Sequence, residues 1–426
     1  MNIKKYSNFQ EELFSKTLDN GLKVNILPKK GYHKTYAVLT TNFGSMDESF
    51  ELNGEHIQIP AGAAHFLEHK LFEKEHYDAF ELFNKNGADS NAFTSHSKTC
   101  YLFSATTAVH DNLDILLNFV QEPYFSTASV QKEQGIIGQE IQMYQDSVDW
   151  QLYMGMLKNL FPSQTMSQDI AGSIASIATI TPELLYKIHQ VFYRPDNLEL
   201  FVVGNVNPTE VLAWVEQNQA QKDFKHDFSF KVFAPQVKHE VIAATKKQAV
   251  VNRPKLMLGI NNNQFLPKPG IERLRYLIAL DLAFYLLLSS SSATYLSLYD
   301  QGLLDDTFGY SINNEREALF LTIGGDSNNV TLLEQKIKTI LHQGLVEDDH
   351  LMNNFTLAKK EMLGRCIAKM NSLEAIANSF EGQYYGNTTI FDEAALYEQI
   401  TLDEVRDNFK NFIDNQTIST YQILPK

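Results

Sequence analysis

The stretch Pro60-Ala61-Gly62-Ala63-Ala64-His65-Phe66-Leu67-Glu68-His69-Lys70-Leu71-Phe72 decides how the rest of the chain is read. His65 and His69 stand four residues apart, with Glu68 directly before the second. On a helix His65, Glu68, His69 and Phe72 share one face, because residues three and four apart are neighbours on successive turns. Two imidazoles on adjacent turns can grip one metal ion, and a carboxylate beside them can take a proton from water. H-x-x-E-H is one order in which zinc hydrolases carry that apparatus. Pro60 suits a helix start, where its missing N–H would be unpaired anyway. Ala61 to Phe72 holds no proline or β-branched residue, and Gly62 is its weak spot. Ala64, Leu67 and Leu71 form an apolar stripe beside the polar face. A core face and a metal face therefore coexist, as a helix lining a cleft requires. The plain alternative is a polar helix face with a Glu–His contact.

A catalytic zinc takes three protein ligands and keeps an open position. The third is sought in Val130 to Tyr144, VQKEQGIIGQEIQMY, which reads as a helix with Glu133, Ile136, Ile137 and Glu140 on one face. Unpaired carboxylates are costly to bury on such a face; a solvated face is the plain reading. Seven residues of helix rise about 10.5 Å, too far for both acids to bind one ion at about 2 Å. One is then a ligand, and the other orients a ligand, a water or the substrate. Spacing alone leaves open which. Gly135 and Gly138 each weaken the helix by up to about 1 kcal/mol relative to alanine, a loss that close packing against the metal helix would explain.

Further segments follow in order: Gly87-Ala88-Asp89-Ser90-Asn91-Ala92-Phe93-Thr94, then Glu133 and Glu140, then Asp169-Ile170-Ala171-Gly172-Ser173. Phe192-Tyr193-Arg194-Pro195-Asp196-Asn197 then leads into Phe201-Val202-Val203-Gly204-Asn205-Val206-Asn207-Pro208. With the H-x-x-E-H helix, this series resembles the insulinase/pitrilysin family of metallopeptidases, the inverzincins. It spans most of the first half; the second half fits more loosely. The length is similar to that of small family members, whose chains carry two related domains and pair into a closed chamber. The resemblance implies His65, His69 and Glu140 as ligands of one Zn2+ per chain. It implies Glu68 as general base and Glu133 as a supporting acid of the catalytic group. It places Asn91, Ala92 and Phe93 on an edge strand that binds peptide substrates. That role has independent sense, since an exposed strand edge offers unpaired N–H and C=O groups to which an extended peptide can add. Read alone, Asn91 to Thr94 is a loop leading into a strand.

At 426 residues and 44% hydrophobic, the chain can bury a sizeable core, and its length suggests two or more domains. The first half mixes strands at Leu22 to Leu27, Thr35 to Asn42, Asn91 to Phe93, Thr99 to Ser104 and Leu198 to Val203 with helices. These helices include Tyr77 to Asn86, His110 to Val120 and Pro208 to Asn218. The pattern predicts an α+β fold, helices on one face of a mainly antiparallel sheet. Residues 1–220 form the metallopeptidase domain, 221–246 a linker around Ala234-Pro235-Gln236, and 247–426 a related domain without the metal motif. The second half echoes the first with a strand at Lys255 to Asn261, a helix at Ile271 to Leu288, a strand at Ala318 to Ile323, and helices at Thr331 to Gln343 and Asp348 to Ala377. The two domains together then form half of a clamshell chamber, as the resemblance implies.

The N-terminus shows no long apolar stretch, so no signal peptide is expected. Leu277 to Leu288 is short and interrupted by Asp281, which reads as a buried helix and predicts no membrane span. Two cysteines, Cys100 and Cys366, make no disulfide framework and fit a cytoplasmic location. A formal charge of −15 disfavours a nucleic-acid partner. It would favour cationic peptides, though it also serves plain solubility.

Active relatives carry, after a Gly/Ser-rich turn, an Arg and, six residues later, a Tyr that bind substrate and polarise its carbonyl. Here Tyr299 and Asp305 stand at those positions. Family members with this split pair with a related zinc-less subunit that keeps the Arg/Tyr pair, and the chain resembles the zinc-bearing half of the paired insulinase-like peptidases of Gram-positive bacteria. A homodimer or such a heterodimer is expected. Three functions compete: a zinc endopeptidase for short or unfolded peptides, a non-catalytic assembly subunit, and a peptide-binding maturation factor that needs a partner.

Overall fold

The computed structural model describes residues 1–224, 228–235, 240–262, 266–316, 318–380, 382 and 386–426. They fall into two compact units. The first comprises Met1–Met143, Gln168–Pro235 and Ser372–Asn378; the second comprises Tyr144–Ser167, Gln236–Asn371 and Ser379–Lys426. The main break after Pro235 lies inside the expected linker, part of which (225–227 and 236–239) is outside the described residues. The units are otherwise not contiguous in sequence, for reasons visible in their packing.

In the first unit the strands are β1 (Asn2–Tyr6), β2 (Glu11–Thr17), β3 (Lys23–Pro28), β4 (Thr35–Thr41), β5 (Ser49–Leu52), β6 (Glu55–Gln58), β7 (Asp89–Thr94), β8 (Thr99–Ala105), β9 (Leu198–Gly204) and β10 (Phe230–Val232). Seven of them form one sheet in the order β1-β2-β3-β9-β4-β8-β7, in which only the β3–β9 pair is parallel. β10 pairs with β5, so the segment expected as a linker contributes a strand to a small β10-β5-β6 sheet. Asn53 and Gly54, both at positive φ, turn the β5–β6 hairpin. Asn-Gly is the strongest short hairpin signal in a sequence, yet it stood outside the expected elements. β1 also lay outside them, because its residues are mostly exposed and carry no apolar alternation.

Helices α1 (Ala63–Phe72), α2 (Ala79–Lys85), α3 (Val109–Gln121) and α4 (Thr127–Asp146) follow. Side chains alternate across a strand. Along β4, Ala37 and Leu39 turn to the helical side and join Phe66, Leu67, Leu116 and Phe119 in one core. Tyr36 and Val38 face the other way and are buried as well. What covers them is the helix Leu373–Asn378, with Lys34 paired to Glu374 and Tyr36 Oη 3.5 Å from Asn378 Oδ1. The expected helix from Asp348 to Ala377 is therefore two, Leu351–Lys369 and Leu373–Asn378. Ser372 starts the second by accepting from the Ala375 N–H.

The second unit gains α5 (Val148–Leu160), whose Asn159 amide donates to Ser419 Oγ and the Thr420 carbonyl at 3.1 Å each. Its sheet contains β11 (Ala244–Ala249), β12 (Lys255–Asn261), β13 (Gly309–Glu315), β14 (Ala318–Asp326) and β15 (Ser419–Pro425), in the order β11-β15-β12-β14-β13. Only β11–β15 is parallel. The run β3-β9-β4-β8-β7 in the first unit has the same order, the same senses and the same connections. The helix Ile271–Leu288 lies between β12 and β13 as α1 lies between β4 and β7, and Val330–Gln343 follows β14 as α3 follows β8. The duplication expected from pattern is thus a repeat of topology. Ile271–Leu288 and the segment after it are long and apolar enough to cross a membrane, but the helix buries Ile278, Leu280, Leu282, Phe284 and Leu288 in the second unit's core.

Two stability predictions follow from the first unit. α1 starts at Gly62, at φ +92°, where an added Cβ would come within 2.5 Å of the Ala171 carbonyl oxygen. Gly172, at φ +80°, meets the Ala61 carbonyl in return, and Ser176 Oγ donates to that carbonyl at 2.7 Å. Two backbones touch here, so a side chain has no room. Gly62→Ala is expected to cost about 2–4 kcal/mol, combining left-handed strain with overpacking. Denaturant unfolding measures this; a loss below about 0.5 kcal/mol, the range of ordinary surface substitutions, would contradict it.

His189 is buried, donates to the Val120 carbonyl (2.8 Å) and stacks on Tyr193. Burial pushes its pKa down to about 3. The native chain thus keeps this imidazole neutral while the unfolded chain protonates near 6.5. Its stabilisation is complete above pH 6.5 and is lost as pH falls toward 3, by up to about 1.4 kcal/mol per pH unit. His189→Gln should unfold with a shallower pH slope between 6.5 and 4.5 than the unchanged chain. Equal slopes would exclude His189 as the source.

Candidate metal centre

α1 presents two faces. Ala63, Ala64, Phe66, Leu67 and Leu71 are buried in the core, while His65 and His69 are half-buried on the open side. Their rings lie 4.5 Å apart, centroid to centroid. α4 runs alongside and brings Glu140 to both: Oε1 is 3.8 Å from His65 Nε2, and Oε2 is 3.9 Å from His69 Nε2. Ligand atoms of His65, His69 and Glu140 all lie within 4.8 Å of one another. Among the described residues this is the one cluster of three or more such groups.

Glu133, two turns earlier on α4, stands behind His69 rather than with the cluster. Its Oε1 is 3.0 Å from His69 Nδ1. Two acids seven residues apart thus serve opposite edges of one imidazole. With Nδ1–H donating to Glu133, the lone pair of Nε2 is left toward Glu140 and His65, the tautomer that metal binding needs. His65 differs, since its buried Nδ1 has no hydrogen-bond partner among the described residues. Gly135 and Gly138 have open space where a side chain would go, so close packing is not their reason.

Glu68 is buried on the same side of α1 and accepts a hydrogen bond from Thr94 Oγ1 at 2.5 Å. Burial pushes its pKa up, against the Thr94 bond and the nearby His69. Burial alone would lower the pKa of His69, but the Glu133 hydrogen bond and the carboxylates of Glu68, Glu133 and Glu140 outweigh it and raise it. Burial, with His69 beside it, lowers that of His65 to about 4. Three carboxylates around two imidazoles thus draw a positive charge into the site. A divalent cation would supply it, and two imidazole nitrogens with one carboxylate are a donor set suited to zinc.

Thr94 ends β7, which is an outer strand of its sheet, opposite the edge formed by β1. Asn91 to Thr94 is therefore strand and not a loop. Asn91 and Phe93 are exposed, and Ala92 is half-buried between them. The Ala92 N–H is capped by its neighbour's Asn91 Oδ1 at 2.8 Å. The edge that would receive a peptide thus runs to the residue that holds Glu68. Thr94 stood outside the expected site residues, although its place two after Ala92 on the same strand was a signal. In the second unit Tyr299 is exposed, and Asp305 is tied to Arg253 and Thr307.

A family model described as insulinase (peptidase family M16) matches residues 26–173, and one described as the peptidase M16 inactive domain matches 179–348. A Bacillus subtilis (strain 168) protein named "uncharacterized zinc protease YmfH" is 39% identical over 99% of this chain and 98% of its own. A solved M16-like peptidase of Alicyclobacillus acidocaldarius superimposes with TM-score 0.89 at 29% identity, covering 98% of this chain and 99% of that one. The periplasmic protease PqqL of Escherichia coli shares the fold at TM-score 0.72 and 19% identity, covering all of this chain but 48% of that one.

Proposed function

The chain belongs to the insulinase family, peptidase family M16, and on that premise we propose that it is a zinc-dependent endopeptidase acting on short or unfolded peptides. The observation that carries this reading is the convergence of His65, His69 and Glu140 within 4.8 Å, beside a buried carboxylate, Glu68, held by the edge strand. His65 Nε2, His69 Nε2 and a Glu140 carboxylate oxygen would hold the ion. Zinc bound there supplies Lewis acidity, lowering the pKa of a water toward about 7 and polarising a carbonyl.

The chain's own groups do the rest. Thr94 donates to Glu68 Oε2, and Oε1 would take the proton of the attacking water. A carboxylate whose pKa is raised by burial can also return that proton to the leaving amine. A peptide adding to β7 would displace Asn91 Oδ1 from the Ala92 N–H and pair with the backbone there, while Phe93 flanks it. The second unit, whose residues 236–348 fall within the inactive-domain match, contributes no zinc ligand in this reading.

A peptide-binding subunit that requires a partner is the second reading, and one observation favours it. Tyr299 and Asp305 offer neither of the expected groups, and Asp305 is already occupied by Arg253 and Thr307. Recurrence of the fold at about half the length of PqqL supports a second half, either another copy or a related zinc-less subunit. The buried, unpaired thiols of Cys100 and Cys366 support a reducing, cytoplasmic setting.

The test is hydrolysis of a quenched fluorescent peptide by the purified chain, with zinc quantified in the same sample. Cleavage stopped by a chelator and restored by zinc is the expected result. One bound zinc without cleavage would favour the partner-dependent reading, and absence of zinc binding would overturn both.

A further inference from the structure

Lys70 follows His69 directly and has no solvent exposure. It is buried on α1, as Phe66, Leu67 and Leu71 are. An apolar residue would sit there without penalty, whereas burying an ammonium costs on the order of several kcal/mol unless it is paired. Its Nζ lies 2.6 Å from Glu73 Oε2 and 3.9 Å from Glu133 Oε2. Glu133 itself is nearly buried, at 10% side-chain exposure. One oxygen of that carboxylate thus faces the ammonium, and the other, Oε1, meets His69 Nδ1.

From this arrangement we propose that Lys70 is a positioning residue for the metal centre. It fixes the rotation of the Glu133 carboxylate so that Oε1 accepts from His69 Nδ1–H and His69 Nε2 is aimed at Glu140 and His65. A lysine with a purely structural part would need Glu73 alone. The chain of contacts Glu73–Lys70–Glu133–His69 instead ties the buried side of α1 to one ligand, and among the described residues His65 has no such support at its Nδ1. The inference rests on the metal assignment made above but not on peptidase activity.

The experiment is a zinc titration of the full-length apo chain against a competing chelator dye, for the unchanged chain, Lys70→Met, Glu133→Gln and the double variant. Losing a residue that orients a ligand costs about 10–100-fold in metal affinity. Lys70→Met is expected to bind zinc about tenfold more weakly, at the lower end of that range. Because Lys70 acts through Glu133, adding Lys70→Met to Glu133→Gln should cost almost nothing further. Lys70→Arg should restore affinity. Unchanged affinity in Lys70→Met, or the same loss in both backgrounds, would overturn the proposal. Should Lys70→Met not fold, Lys70→Gln runs through the same cycle. An unchanged chain that binds no zinc overturns this inference together with the metal assignment. Zinc binding without cleavage overturns only the self-sufficient peptidase.

Discussion

Glu68→Gln is expected to lower kcat by about 10²–10⁴-fold, the usual share of general acid–base catalysis, while zinc content stays at one per chain. The amide has the shape of the carboxylate but cannot take the proton. Thr94 Oγ1 can still donate to the amide oxygen, so the side chain keeps its place. Glu68 is not among the clustered ligand atoms of His65, His69 and Glu140, so the ion should remain. Burial already works against the charge on Glu68, so the neutral variant should be at least as stable as the unchanged chain. Turnover with zinc quantified in the same preparation measures this. A variant that cleaves at the original rate would remove Glu68 from the base role.

Glu140→Gln is expected to weaken zinc binding by more than the roughly 100-fold upper end seen when an outer partner of a ligand is lost. It removes the one anionic member of the cluster, which lies 3.8 and 3.9 Å from the two Nε2 atoms. Cleavage should disappear at stoichiometric zinc and return in part with excess zinc. Glu133→Gln should retain the ion but bind it more weakly, because His69 then loses the anionic acceptor at Nδ1. If Glu140→Gln binds zinc normally and Glu133→Gln does not, the two acids exchange roles.

The contrast between these acids shows how far the sequence could be read. Spacing established that Glu133 and Glu140 could not both bind one ion, since about 10.5 Å of helix separates them. It did not say which was the ligand, because that depends on where α4 crosses α1. The resemblance supplied the choice, and the structure sets Glu140 at the Nε2 side and Glu133 at the Nδ1 side of the same ring. Lys70 was not legible as part of the site. Its place beside His69 was visible, but Glu133, which it meets at 3.9 Å, is 63 residues away in the chain.

What the sequence determined by itself was periodic or covalent in origin. The H-x-x-E-H helix, strands such as Lys255 to Asn261, the helix Ile271–Leu288 and the general α+β class all follow from local pattern, and local pattern is set by the backbone's few allowed conformations. Only the tertiary structure decided which segments belong together. It placed α5 in the second unit and Leu373–Asn378 in the first, because each covers a sheet face whose apolar side chains are far away in the chain. Those burials depend on what lies opposite a strand, and no window of neighbouring residues contains that information.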